Sequence, residues 1–204
     1  MEWTKIEKKF FISLNSPSKI QDYLDAIDYD VREGSSSPRY VINEGKANCF
    51  EGALLAAAAL ENIGYKPLII DMIAHNDDDH VIAVYKKNNR WGALGKSNTT
   101  VLKYREPVYN NIRELIMSYF DFYLNINGEK TLREYSSPVN LKIFDNRKWR
   151  TTSEDLEFIS DYLYKIKHHK IIKKSMIKHL RKADPLLLEA TLLGSLKEGL
   201  YKPE

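Results

Sequence analysis

An α+β fold is predicted by the order of three kinds of segment along the 204 residues. Residues 49–63 have the composition of a buried helix, residues 68–94 contain three strand-like runs, and the pattern beyond residue 105 is mainly helical. A buried helix followed by an antiparallel meander is typical of the α+β class. Because 43% of the residues are apolar, the chain can bury a sizeable core.

The first predicted helix covers residues 16–28. Ser16 is a good capping residue, and Pro17 suits the first helical position. The apolar residues that follow recur at helical spacing and are Ile20, Tyr23, Leu24 and Ile27.

The second predicted helix begins at Cys49. It is apolar on nearly every side over Ala53–Leu60, so we expect it to be buried within the domain. Gly64 is well placed to end it in a left-handed conformation.

Three strands are predicted next. They cover residues 68–74, 80–85 and 91–94, and the first is rich in β-branched residues. The turn between the last two has two interpretations, a longer loop over residues 86–90 or a two-residue turn at Asn88-Asn89. In either case the strands should form one antiparallel sheet against which the Cys49 helix packs.

Helices are predicted beyond residue 105, one starting near Pro107 and two more over residues 154–167 and 185–196. We therefore divide the chain into two parts. Residues 1–125 form the core with its N-terminal helix, and residues 126–204 form a mainly helical, basic region packed on that core.

Cys49 and His80 are the residues most suited to chemistry. A thiolate is the reactive form of cysteine, and the positive end of a helix dipole lowers a thiol pKa. Cys49 starts the buried helix, and His80 starts a strand from which its ring can reach a helix end. Considered one at a time, the cysteine fits a small core hydrophobe and the histidine a surface ion pair with the preceding aspartates.

Together, these segments resemble the transglutaminase-like superfamily of papain-like cysteine enzymes. Residues 48–53 (NCFEGA) are similar to the cysteine element of that family, residues 79–85 (DHVIAVY) to the histidine strand, and residues 90–94 (RWGAL) to the start of the third strand. The resemblance implies a papain/transglutaminase-like core with a helical C-terminal region, Cys49 as nucleophile and His80 as its base. It implies no metal or organic cofactor.

The family's third residue, usually an aspartate that orients the histidine, has no counterpart after Trp91. A longer hairpin turn puts Lys96 opposite His80, and a two-residue turn puts Ser97 there. We expect Asn98 to hold the His80 ring, with Ser97 as the alternative, because an amide oxygen can accept from an imidazole N–H. The remaining candidates are Asp78 and Asp79.

The oxyanion donor is open among three residues. Asn43, Asn48 and Tyr40 precede or flank Cys49, and loop asparagines are more often turn formers than ligand donors.

A basic segment covers residues 164–182, which contain no acidic residue. If it is helical, it has an apolar face. The composition is typical of a surface for an anionic partner, and a solvated face packed on the core is the alternative.

Two functions follow. The first is a cysteine hydrolase or acyltransferase acting on an amide or peptide bond of its substrate. The second is a non-catalytic binding module of the same fold, in which the basic segment contacts the anionic partner. Since the N-terminus lacks a signal-peptide pattern and no apolar run reaches the roughly 20 residues of a membrane span, we expect a cytoplasmic protein. The oligomeric state is not encoded in any motif.

Overall fold

In a computed structural model, which describes residues 3–32 and 34–203, helices cover both faces of an antiparallel sheet. The α-helices of the described residues are α1 (Lys5–Ser13), α2 (Pro17–Ala26), α3 (Pro38–Glu44), α4 (Cys49–Asn62), α5 (Ile112–Phe120), α6 (Glu157–Lys165), α7 (Lys174–Ile177) and α8 (Pro185–Leu192). Short 3-10 helices cover Leu141–Arg147 and Lys197–Gly199.

The strands are β1 (Asp28–Tyr29), β2 (Lys46–Ala47), β3 (Leu68–Ala74), β4 (His80–Lys87), β5 (Arg90–Leu94), β6 (Arg105–Tyr109), β7 (Leu132–Ser136), β8 (Val139–Asn140) and β9 (His168–Lys170). β1 and β2 form a small parallel pair. The main sheet has the order β6-β5-β4-β3-β7-β9, and β8 pairs with the first residues of β3. All of its pairings are antiparallel.

The hairpin between β4 and β5 is the two-residue alternative. Lys87 pairs with Arg90, and the two turn residues Asn88 and Asn89 have φ values of 49° and 60°. Asparagine tolerates this left-handed conformation better than most residues, which suits both turn positions, and the observed tight turn fixes the register.

α4 is the central helix of the molecule. Its residues Phe50–Leu60 are all buried, and the helix packs on the sheet face formed by Val81, Ala83 and Tyr85 of β4. The predicted left-handed residue Gly64 follows it, with φ of 93°. α1, α2, α3 and α6 contribute side chains to the same core, among them Phe11, Leu24, Val41 and Ile159.

The opposite face of the sheet is covered by α5. Ile82 and Val84 of β4 lie in this second core together with Leu115, Ile116 and Tyr119 of the helix. Side chains along β4 therefore alternate between two buried faces, as a strand between two layers requires.

The α+β fold, α2, α4 and the antiparallel strands β3, β4 and β5 confirm the sequence-based predictions. The predicted helix start at Pro107 is wrong, because Pro107 lies in β6. The helix begins five residues later at Ile112, where Asn111 accepts the capping bond from Glu114 N–H.

The region over residues 126–204, which was predicted to be mainly helical, contains α6, α7 and α8 and also three short strands. β7, β8 and β9 come from this region, and β7 and β8 pair directly with β3 of the core. The basic segment 164–182 is likewise not one helix, because it contains the end of α6, then β9 and then α7. Within residues 3–32 and 34–203, no helix combines the length and the apolar character that a membrane crossing needs.

Candidate active site

Cys49 is the first residue of α4, as predicted. Asn48 caps the helix through a reciprocal pair of bonds: its Oδ1 accepts from Glu51 N–H at 2.9 Å, and Glu51 Oε2 accepts from Asn48 N–H at 3.2 Å. This is a capping box, which the spacing of Asn48 and Glu51 encodes. It fixes where the helix starts and therefore where the thiol lies.

Glu51 is fully buried and anchors the loop in front of the helix. Its Oε1 accepts from the Arg32 guanidinium and from Ser36 N–H, both at 2.9 Å. Burial raises the Glu51 pKa, while the Asn48 and Ser36 N–H groups and the charge of Arg32 act in the opposite direction. The loop 34–37 is therefore tied to the first turn of α4.

The Cys49 sulfur lies against the beginning of β4. Sγ is 3.9 Å from the carbonyl oxygen of Asp79, the residue directly before His80. Burial raises the thiol pKa to about 11 and the charges of Asp78 and Asp71 act in the same direction, whereas the N–H groups of Val81 and Phe50 lower it. The resting group is therefore a thiol at neutral pH.

His80 is buried and held by a backbone carbonyl. Its Nε2 donates to the Leu102 carbonyl oxygen at 2.8 Å. Because a carbonyl can only accept, the proton of the neutral ring is on Nε2 and the lone pair is on Nδ1. Nδ1 has no hydrogen-bond partner among the described residues. Burial lowers the His80 pKa to about 4, partly offset by the Leu102 bond, so the ring is neutral at pH 7.

Gly95 lies beside the ring. A Cβ at this position would lie 3.4 Å from His80 Nε2 and 3.3 Å from Ile82 Cγ2. On the other side, the Tyr123 ring contacts His80 edge to face at 6.5 Å between centroids, and its hydroxyl donates to the Asp78 carbonyl at 2.8 Å. The imidazole therefore has Gly95 and Tyr123 as neighbours.

The two predicted catalytic residues share a cleft without bonding to each other. Side chains alternate along β4, so His80 lies on the same face as Ile82 and Val84 and its ring turns toward the α5 side of the sheet. Cys49, the first residue of α4, lies on the other side. Both nevertheless line one cleft of about 710 Å³. His80 is the first residue of β4 and therefore lies at the edge of the sheet, where the cleft is. No hydrogen bond joins them within the described residues.

Asn98 does not orient His80, and that prediction is wrong. The Asn98 Nδ2 donates to the Leu196 carbonyl, and its Oδ1 accepts from Leu196 N–H, each at 2.9 Å. Leu102 takes the expected role through its main chain. A backbone carbonyl has no residue signature, so the sequence offered no signal for it.

The other predicted orienters are engaged elsewhere. Ser97 bonds Thr99 through its hydroxyl, and the Asp79 carboxylate accepts from Ala74 N–H at 2.7 Å. The Asp78 carboxylate has no hydrogen-bond partner within the part of the chain that the structure describes. Lys96 lies against Gly52 of α4. Its Nζ donates to the Leu24 and Ile27 carbonyls at the end of α2.

The end of α8 and the chain after it form one wall of the cleft. Besides the two Asn98 bonds, Thr100 N–H donates to the Thr191 carbonyl at 3.1 Å and Thr100 Oγ1 to the Leu193 carbonyl at 2.8 Å. This wall, residues 192–201, contributes Leu192, Glu198, Gly199, Leu200 and Tyr201 to the lining. It packs loosely, and Leu193 is 73% exposed.

The cleft is acidic although the whole chain has a net charge of +3. Among its described lining residues, Arg32 is the cationic side chain. The carboxyl side chains of the lining are Asp30, Asp71, Asp77, Asp78, Asp79, Glu157, Asp161 and Glu198.

Two of these aspartates have strongly shifted pKa values. Burial raises the pKa of Asp71 to about 6 and that of Asp77 to about 6. Asp71 contacts His168 Nε2 at 3.4 Å, and Asp77 accepts from Thr131 Oγ1 at 2.7 Å. The Asp71–His168 pair was not predicted, because the two residues are brought together by the β3-β7-β9 order of the sheet.

Of the predicted oxyanion donors, Asn48 lines the cleft. Asn43 and Tyr40 lie on α3 and are not among its described lining residues, and the Tyr40 hydroxyl donates to Asp30 at 3.4 Å. Since the Asn48 Oδ1 caps Glu51 N–H, the side chain serves mainly as a helix cap.

No group of three or more histidine, cysteine, aspartate or glutamate side chains within residues 3–32 and 34–203 has the arrangement of a metal site. The sequence was also compared with known proteins, and it matches no protein-family model and no curated protein.

Proposed function

We propose that the protein is a thiol-dependent hydrolase or acyltransferase acting on amide or peptide bonds, with Cys49 as nucleophile and His80 as base. The observation that carries this proposal is the bond from His80 Nε2 to the Leu102 carbonyl. It directs the basic lone pair to Nδ1 of a residue that lines the same cleft as Cys49. A neutral imidazole with a fixed tautomer is the form that can accept a thiol proton.

The proposed reaction begins as the Cys49 sulfur bonds the substrate carbonyl carbon. His80 Nδ1 takes the thiol proton, and the carbonyl oxygen becomes negative. The C–N bond then breaks as Nδ1 returns the proton to the leaving amine, which leaves an acyl group on sulfur. Water or an acceptor amine next gives its proton to Nδ1 and attacks the acyl carbon. The C–S bond breaks, and the thiol regains its proton.

The proposed resting state is a neutral pair. Burial raises the Cys49 pKa and lowers that of His80, so a preformed thiolate–imidazolium pair is disfavoured. Proton transfer therefore accompanies attack on the substrate. For this step the His80 ring and the sulfur must approach each other, since they are not bonded at rest.

The lining of the cleft supports a substrate that is neutral or cationic near the reacting bond. Carboxylates surround Cys49, and anionic groups would be repelled by them. The same field favours an amine as the group that leaves or accepts.

p-Nitrophenyl acetate tests the proposal, because it is an activated ester that acylates a nucleophilic thiol without needing the natural leaving group. We expect an acetyl adduct on Cys49 by peptide mass spectrometry, its absence in Cys49→Ser, and much slower formation in His80→Gln. Circular dichroism establishes that each variant is folded. Equal acetylation rates in the wild type, His80→Gln and the urea-unfolded protein would refute His80 as base.

A non-catalytic binding module is the second candidate, and the raised Cys49 pKa favours it. In that case the thiol of the folded protein should react more slowly than that of the unfolded protein, and removing His80 should leave the rate unchanged. The basic segment would then carry the function through an anionic partner.

A further inference from the structure

A second cavity, of about 490 Å³, lies beside the outer strand β9. Its described lining residues are His75, Arg133, Glu134, Lys170, Ile172, Lys174, Ile177 and Lys178. None of them lines the Cys49 cleft. We name this cavity the β9 pocket. It lies where β7, β9 and α7 meet, within the basic part of the chain.

The charge of the β9 pocket is strongly positive. Arg133, Lys170, Lys174 and Lys178 face one carboxylate, that of Glu134. Among the described residues, none of these four cations forms an ion pair. Solvated surface lysines commonly lack partners, so the lysines alone indicate little; the arginine is more informative.

Within the described part of the chain, the Arg133 guanidinium has hydrogen-bond partners at only one of its nitrogens. Its Nη1 donates to the Lys130 and Leu132 carbonyls at 2.8 and 3.0 Å, which fixes the plane of the guanidinium. Its Nε is buried and has no hydrogen-bond partner, and Nη2 has none within the described residues either. Buried donors are nearly always satisfied, so this edge requires an explanation.

The Nε–Nη2 edge of a guanidinium is one that binds two oxygens of a carboxylate or phosphate at once. Here the protein holds that edge in a fixed plane without an acceptor, and Arg133 lines the same cavity as three lysines. Burial lowers the Arg133 pKa, and the charge of Glu129 acts in the opposite direction. An oxyanion would supply the missing acceptor.

From this arrangement we propose that the β9 pocket binds a small organic oxyanion, whose phosphate or carboxylate meets the Arg133 edge and whose apolar part lies against Ile172 and Ile177. The volume is that of a small-molecule site, which typically spans about 300–1,000 Å³. The proposal does not depend on chemistry at Cys49.

Phenyl phosphate is a suitable probe because it combines a phosphate with an apolar ring. Inorganic phosphate, benzoate and phenol test each part by itself. In calorimetric titrations of the full chain at constant ionic strength, we expect one saturable site for phenyl phosphate. Benzoate and inorganic phosphate should bind more weakly, and phenol should not bind.

Two neighbouring lysines give a matched pair of variants. Lys174→Gln removes a charge that lines the pocket, and Lys173→Gln removes the adjacent charge, which is not among the described lining residues. We expect only the first to weaken phenyl phosphate binding by several-fold. Arg133→Lys keeps the charge but loses the two-pronged edge, so it should weaken binding by about tenfold or more.

Three results would overturn the proposal. The first is equal weakening by Lys173→Gln and Lys174→Gln, which indicates general electrostatic attraction. The second is undiminished binding in Arg133→Lys. The third is no saturable binding of either phenyl phosphate or benzoate. Displacement of both by an RNA homopolymer that binds more tightly would likewise contradict the proposal, because it indicates a nucleic-acid surface.

Discussion

The side chain of Asn98 bonds both backbone polar atoms of Leu196, at 2.9 Å each. Asn98 follows β5 at the rim of the cleft, and Leu196 lies in the cleft wall of residues 192–201. The pair therefore fastens this weakly packed wall beside Cys49.

Replacing Asn98 should expose the thiol. In Asn98→Ala the wall loses two hydrogen bonds, with a net contribution of about 1 kcal/mol, which corresponds to about fivefold in the open population. We expect iodoacetamide to alkylate Cys49 correspondingly faster and amides of the wall to exchange faster with deuterium. The exposed Asn146→Ala is the control. A slower reaction in Asn98→Ala would instead support a role for Asn98 in activating the thiol.

The pH dependence of the proposed acylation of Cys49 should reflect a neutral cysteine–histidine pair. The base form of His80 is lost only as the pH falls toward about 4, and the Cys49 thiol is lost only near about 11. With p-nitrophenyl acetate, the acylation rate corrected for spontaneous hydrolysis should therefore be nearly flat between these limits. A rise or fall centred near pH 6.5 would show that His80 titrates as an ordinary exposed imidazole.

His80 should make folding sensitive to acid. Its folded pKa of about 4 lies below the unfolded value of 6.5, so between these pH values the unfolded chain binds a proton that the folded chain does not. The contribution of His80 to the free energy of unfolding is full above pH 6.5 and falls as the pH drops to about 4, by at most about 3 kcal/mol. Urea unfolding of wild type and His80→Gln between pH 7 and 4 measures the difference.

Protonation of Asp71 and Asp77 changes the stability in the direction opposite to that of His80. Their folded pKa values of about 6 exceed the unfolded value of 3.8, so the folded state gains stability from them as the pH falls through this range. The wild-type loss should consequently be smaller than His80 alone would cause. If wild type and His80→Gln lose stability in parallel, His80 does not have a depressed pKa.

The acidic cleft should discriminate between reagents by charge. Relative to the unfolded protein, folded wild type should react more slowly with anionic iodoacetate than with neutral iodoacetamide, because the carboxylates around Cys49 repel the anion. Asp78→Asn should reduce this discrimination, and added salt should do the same. Asp22→Asn, which removes an exposed charge outside the described lining, is the matched control. Equal effects of the two substitutions would indicate a response to net charge alone.

Local patterns determined the elements nearest to the candidate site. Asn48 and Glu51 start α4 through short-range bonds, the apolar run after Gly52 requires a buried helix, and Asn88-Asn89 selects the tight turn. Each depends on residues a few positions apart, so the α+β class and the first residue of α4 could be predicted from the sequence, and the register of β4 with β5 could be narrowed to two alternatives.

Tertiary structure alone decided the contacts between distant residues. The Leu102 carbonyl meets His80 across 22 positions, and Asn98 meets Leu196 across 98, through main-chain atoms that every residue possesses and no motif marks. The strand character of residues 132–136 and 168–170 likewise arises from pairing with β3 and β7, not from a strong local preference. The sequence therefore indicated the candidate site residues, and long-range packing determined what holds and covers them.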